Sequence, residues 1–260
     1  MDEKNEETNE YNEPSIEEFL WDEVDPDKER RKKRRTVFIR FVAGIIAFVF
    51  LISVFAPWIP FFNLPAFEFV KTSIRLSQRE DIQQYKQAVV SIEGSSKKGT
   101  GFNIDSDGYL ITNFHVIEDM NPIVVYFSDG QVFNATLVKE YPEIDIAFLD
   151  INGENLPVLS LAKNTKWQEG DAVYVVGNPL GFFQIANKGK MIGLKKVTDI
   201  DVPVLAITAP VYRGNSGSPV INREGKVVGV VFATSIPSVK KGERPEGFAI
   251  PIEEVMTKIP

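Results

Sequence analysis

The sequence contains no cysteine and a single histidine among 260 residues. The first absence excludes disulfides and a thiol nucleophile, and the two together leave a His/Cys metal site almost nothing to build on. Neither a metal nor another cofactor is implied. Acidic residues outnumber basic ones, for a net charge of −7, which argues against nucleic acid as the main partner. Hydrophobic and charged fractions are those of an ordinary folded chain.

The charge is unevenly spread. Residues 1–27 carry twelve acidic side chains and one lysine and read as a disordered tail. Residues 28–35 are KERRKKRR, so 1–35 forms an acidic, then basic, N-terminal segment. Residues 36–56, TVFIRFVAGIIAFVFLISVFA, are apolar apart from Arg40. At about 1.5 Å per residue this run spans roughly 30 Å, the hydrocarbon thickness of a bilayer. No polar face and no small-x-small cleavage site appear in it, so it reads as a retained transmembrane helix. The Lys/Arg cluster before it predicts a cytoplasmic N-terminus and an extracytoplasmic remainder, the arrangement of a single-pass bacterial membrane protein.

Residues 57–86 read as a juxtamembrane linker. Prolines 57, 60 and 65 bar a continuous helix there, and 78–86 suggests a short one. The aromatics Trp58, Phe61, Phe62, Phe67 and Phe69 suit either the membrane interface or a contact between subunits. Residues 87–260 have a different texture. The runs AVVSIEG, GTGFNI, GYLITNF, IVVYFS, QVFNATLV, IDIAFLDI, DAVYVVG, VPVLAIT, SPVIN and KVVGVVFAT are short and rich in β-branched and aromatic residues. Asp-Gly and Glu-Gly pairs at 107–108, 129–130 and 224–225 punctuate them. This predicts an all-β domain, an antiparallel barrel or a sandwich, with intervals too short for helical crossovers.

A serine hydroxyl attacks a carbonyl only when a base removes its proton and a carboxylate orients that base. His115, in TNFHV, is the only imidazole in the chain. Ser216 lies between Asn215 and Gly217 in GNSGSP, with Gly214 before it. Such glycines allow the amides of Gly214 and Ser216 to converge on one point and hold an oxyanion. Ser218 is the nearest rival nucleophile, but it lacks the glycine needed on that side. Asp107, Asp129 and Asp150 lie at turns or a strand end. Asp145 heads an apolar strand, where a carboxylate needs a partner, and His115 suits it.

The motifs GTGF at 99–102, TNFHV at 112–116, DIAFL at 145–149, GNPLG at 177–181, GNSGSP at 214–219 and GFAIP at 247–251 occur in this order. Over about 87–252 the chain resembles HtrA/DegP-type trypsin-like serine proteases. The resemblance implies a chymotrypsin-like pair of antiparallel Greek-key β-barrels with the site between them. It implies His115 as base, Asp145 as its orienter and Ser216 as nucleophile, with an oxyanion hole at Gly214 and Ser216 joined by Asn215. It implies a small apolar specificity pocket with Val211, Val231 and Phe232, polypeptide substrates drawn from unfolded or damaged exported proteins, and a homotrimer formed through N-terminal segments. Ser218 and Thr208 depart from the family's usual Gly and Asp. The chain stops nine residues after GFAIP, so a PDZ domain, common in the family, is not expected in it. The alternative is a catalytically silent extracytoplasmic scaffold or sensor that kept the fold.

Overall fold

The apolar strand runs have two covered faces, and this is why they read as nearly continuous rather than alternating. In Ile146–Ile151, Ile146 and Phe148 belong to one cluster of buried side chains, and Ala147, Leu149 and Ile151 to another. Successive side chains of a strand point to opposite faces. One face therefore fills the first barrel, and the other meets a core that continues into the second.

The computed structural model describes residues 26–55, 64–95, 97–163, 166–198, 200–234 and 246–260. Helix α1 is Pro26–Phe55. It holds one stretch, Glu29–Val54, long and apolar enough to cross a membrane. Its hydroxyls are satisfied within the helix: Thr36 Oγ1 donates to the Lys32 carbonyl at 2.9 Å and Ser53 Oγ to that of Val49 at 2.8 Å. The expectations for the tail 1–25 and for Trp58, Phe61 and Phe62 lie outside the described residues.

Helix α2 is Leu64–Leu76 and helix α3 is Glu80–Ala88. The second answers to the short helix expected over 78–86. The first replaces connecting peptide over 64–76 with regular structure. The proline argument still holds, because Pro65 sits in the first turn, where its missing N–H costs nothing. Ser73 and Leu76 of α2 are buried.

Strands β1 Val89–Glu93, β2 Lys98–Asn103, β3 Tyr109–Thr112, β4 Ile123–Tyr126, β5 Val132–Tyr141 and β6 Ile146–Ile151 form a closed antiparallel barrel in the order 1-2-3-6-5-4. Strands β7 Ala172–Gly177, β8 Ile185–Lys195, β9 Val204–Ile207, β10 Pro219–Ile221, β11 Val227–Thr234 and β12 Gly247–Pro251 close a second in the order 10-11-12-9-8-7. The all-β, two-barrel expectation is met. A one-turn helix α4, Phe114–Ile117, follows β3, and α5, Ile252–Met256, packs on the second barrel.

The helical arm is tied to the second barrel. Ser73 Oγ accepts the Ala186 N–H of β8 at 3.0 Å. Arg79 Nη1 donates to the Tyr174 hydroxyl of β7 at 2.7 Å, while its Nε donates to Asp81 at 3.0 Å. The Arg79 guanidinium holds the Asp81 carboxyl below the usual carboxylate range. Burial pushes the Lys86 ammonium down, and it donates to Ser77 Oγ at 2.6 Å.

Candidate active site

Three consecutive residues after β3 close on Asp145. Asn113 Nδ2 donates to the Asp145 carbonyl at 2.8 Å, and the Phe114 N–H donates to the same oxygen at 3.3 Å. The His115 N–H donates to Asp145 Oδ1 at 2.9 Å, and His115 Nδ1 lies 2.7 Å from Oδ2. A carboxylate can only accept, so in the neutral imidazole the hydrogen-bonded Nδ1 carries the proton and Nε2 keeps its lone pair. Asp145 leaves a short 3-10 turn, Pro142–Ile144, with φ of 53°, a left-handed conformation that Asp tolerates better than most residues. It is almost wholly buried, whereas the His115 side chain is 45% exposed and open to a substrate.

Ser216 occupies a four-residue turn. The Ser218 N–H donates to the Asn215 carbonyl at 2.9 Å, which puts Ser216 and Gly217 at the centre. Gly217 has φ of 86°, as the third residue of a type II turn requires. A Cβ there would also lie 1.9 Å from the Thr100 carbonyl oxygen. The turn is fastened to both barrels. The Thr100 N–H of β2 donates to the Ser216 carbonyl at 2.9 Å, and the Gly217 N–H donates to the Val231 carbonyl of β11 at 2.8 Å.

Thr100 and Asn178 brace the site, although neither stands out within the motifs GTGF and GNPLG that contain them. Thr100 Oγ1 donates to the Gly214 carbonyl at 2.7 Å and accepts the Asn178 N–H at 3.0 Å. Asn178 Nδ2 reaches across to the Val90 carbonyl of β1 at 2.9 Å. This polar cluster joins the barrels behind Ser216. A glycine-rich setting was its only sequence signal.

The backbone amides of Gly214 and Ser216 make no hydrogen bond among the described residues. The direction of the first is set by its own peptide group. The Arg213 carbonyl accepts the Leu180 N–H at 2.9 Å, and in a planar trans peptide the next N–H points the opposite way. Two unspent donors therefore sit beside Ser216. The Asn215 backbone N–H is taken up in the turn, donating to the Tyr212 carbonyl at 2.9 Å, while its side-chain Nδ2 is buried with no hydrogen-bond partner among the described residues.

A cavity of about 650 Å³ has His115, Gly214 and Ser216 on its wall, with Asn178, Leu180 and Arg213 beside them. Ser216 and His115 thus face one space, though no hydrogen bond joins them among the described residues. Val211, Val231 and Phe232 do not line it. Val231 is fully buried, and its N–H donates to the Ser218 carbonyl at 2.9 Å. Val211 and Phe232 are half-buried, and residues 235–245, which follow β11, lie outside the described residues. No group of three or more His, Asp or Glu that could hold a metal occurs among the described residues.

The paired barrels with an aspartate, a histidine and a serine gathered at their junction define the class of two-barrel, chymotrypsin-like proteins. Residues 99–230, half of the chain, match the family of the trypsin-like peptidase domain, and the chain belongs to that family. It is 38% identical over 160 residues to a probable periplasmic DegP-like serine endoprotease of Pseudomonas fluorescens, covering 61% of this chain and 33% of that one. It is 35% identical over 188 residues to a counterpart in Chlamydia pneumoniae, covering 71% and 36%. The chain thus spans about a third of the length of the curated relatives it matches. The solved structure of Rv3671c from M. tuberculosis, a serine mutant in its inactive form, superposes with a TM-score of 0.61 at 29% identity, covering 70% of this chain and 89% of that one. The serine endoprotease of Yersinia pestis superposes with a TM-score of 0.60 at 29% identity, covering 68% and 63%.

Proposed function

We propose that this protein is a membrane-anchored serine endopeptidase that cleaves polypeptides through Ser216, His115 and Asp145. The observation that carries the proposal is that His115, held by Asp145, lies on the wall of a cavity shared with Ser216 and two unbonded amides. In this reading Ser216 Oγ attacks the scissile carbonyl carbon as its proton passes to His115 Nε2. Asp145 stabilises the imidazolium that forms. The carbonyl oxygen becomes an oxyanion and takes the Gly214 and Ser216 N–H groups. His115 then gives its proton to the leaving amine, and water repeats the sequence on the acyl-enzyme to free Ser216.

Helix α1 supports anchoring, with the Lys/Arg-rich 28–35 on the cytoplasmic side and the barrels outside. The DegP-like relatives named as periplasmic endoproteases support exported polypeptides as substrates, and the choice of unfolded or damaged ones among them is part of the same proposal. Trimer assembly through the N-terminal segment is part of the same reading. Light scattering of the full chain in detergent tests it, and a monomeric mass would refute it.

The test of the chemistry is labelling with a fluorophosphonate, which traps an activated serine. The full chain in detergent should be labelled at Ser216 and should degrade unfolded casein. Ser216→Ala should lose both, with hydrolysis falling by about 10⁴- to 10⁶-fold. Unlabelled wild-type protein, or a Ser216→Ala variant that keeps its activity, would refute the assignment.

A further inference from the structure

The chain carries a net charge of −7, yet the wall of the cavity holds Lys97, Lys98 and Arg213 against a single acid, Glu93. The four are not equivalent. Glu93 is already engaged, its Oε1 lying 2.6 Å from Lys98 Nζ and accepting the Ser91 hydroxyl at 3.1 Å. Lys97 donates to the Glu118 carbonyl at 2.8 Å and lies 3.8 Å from that residue's carboxylate. The Arg213 guanidinium has no hydrogen bond and no ion pair among the described residues.

The backbone of Arg213 is in the opposite condition. Its carbonyl is fixed by the Leu180 N–H, and the next residue is Gly214, whose amide is unspent. A free guanidinium thus hangs from an anchored main chain one residue from an oxyanion donor and three from Ser216. Guanidinium is the side chain best shaped to take a carboxylate through two parallel hydrogen bonds. On the wall of a cleft, a surplus of one sign attracts the opposite charge more strongly than on an open surface.

We infer that this cleft selects polypeptides with an aspartate or glutamate close to the bond that is cut, and that Arg213 binds that carboxylate. The inference rests on the endopeptidase reading for its reaction. It goes beyond that reading in naming a substrate class and the residue that specifies it. A carboxylate held by Arg213 brings the adjoining main chain to Ser216. Arg213 is therefore a specificity-determining residue for this site.

The test is the full chain in neutral detergent acting on a mixed peptide library, with cleavage sites read by mass spectrometry. At low salt, Asp and Glu should be enriched about threefold at one fixed position within about three residues of the cut, as for a single exposed ion pair. At about 1 M salt, where screening acts over roughly 3 Å, the enrichment should fall towards one. Arg213→Glu should turn the preference at that position to Lys and Arg, and Arg213→Gln should erase it. These are ratios within one digest, so a slower variant still reports. Absence of enrichment, or enrichment that survives both substitutions, overturns the inference while cleavage itself upholds the endopeptidase reading. If the wild type cuts nothing, that reading fails, and fluorescence anisotropy decides the inference alone. A labelled Glu-containing peptide should then bind more tightly than its Gln twin, by a margin that Arg213→Gln abolishes, and equal binding overturns it.

Discussion

Asp145 holds His115 twice, by the ring nitrogen Nδ1 at 2.7 Å and by the backbone N–H at 2.9 Å, one carboxylate oxygen for each. The double grip orients the imidazole and also fixes the turn from which it projects. Asn113 and Phe114 complete it on the Asp145 carbonyl, which no substitution of the side chain removes.

Asp145→Asn tests that division of labour. The amide oxygen can still accept one N–H, and the backbone contacts remain, so the fold should survive. An amide facing both His115 donors has only one acceptor, and its NH₂ favours the tautomer with the proton on Nε2. That nitrogen can then no longer take the serine proton. Peptide hydrolysis should fall by about 10⁴-fold with unchanged circular dichroism. Activity within tenfold of wild type would refute the orienting role of Asp145.

Gly217→Ala should be costly for two separable reasons. The residue has φ of 86°, and its Cβ would meet the Thr100 carbonyl at 1.9 Å and Thr112 Oγ1 at 2.6 Å. Both obstacles belong to the first barrel, since Thr100 and Thr112 are in β2 and β3, whereas the Gly217 N–H is bonded to β11 of the second, at the joint between the two. We expect a loss of about 3 kcal/mol or more, or a fall in Tm of roughly 10 °C. Gly130→Ala is the control, because φ there is 90° but nothing lies within 4 Å of the added carbon. It should cost about 1–2 kcal/mol, the left-handed strain alone. Equal losses in the two variants would show that the contact with Thr100 does not matter.

The same joint shows what was legible in the sequence. Asp145, His115 and Ser216 could be picked out because each is a rare residue type or sits in an unusual setting. Asp145 and His115 meet directly, and Ser216 lines the same cavity as His115. Thr100 and Asn178 could not, since their work depends on a hydroxyl and an amide reaching across from other strands. Strand β8 escaped for a related reason. Its inward positions include Asn187 and Gly189, so IANKGKMIGLK shows no apolar alternation. Strand β12 is the motif GFAIP itself, and five residues hold too little pattern to announce a strand. Helix α2 was hidden by its prolines, of which only Pro65 falls within it, in the first turn.

Acid should loosen the tie between the helical arm and the second barrel. The Asp81 carboxyl titrates below its ordinary range, chiefly through the hydrogen bond from Arg79. A depressed folded-state value means the contribution is fully present above the unfolded carboxyl's pKa of about 3.9 and is lost as pH falls through the folded value. Both side chains are partly exposed, so the effect is small, about 0.2–1 kcal/mol. In urea unfolding, Asp81→Asn should lie below wild type at pH 6, and the gap should close below about pH 4. A gap that stays constant from pH 6 to 3 would rule out the linkage.

If residues 64–76 were mere connecting peptide, substitutions there would not touch the stability of the barrels. Ser73 is buried, and its Oγ is the acceptor for the Ala186 N–H of β8. Ser73→Ala strands that donor and should cost about 1–3 kcal/mol. Leu76, also buried, joins the core shared by both barrels, and Leu76→Ala should cost about 2–5 kcal/mol. Ile74 lies between them in sequence but is 62% exposed, so Ile74→Ala should change stability by no more than about 0.5 kcal/mol. The expected pattern along α2 is therefore large, small, large at positions 73, 74 and 76, read from urea midpoints of the full chain in detergent. Alanine is the strongest helix former, so none of these losses can come from helix propensity. Three equal and small effects would mean that α2 does not dock on the second barrel.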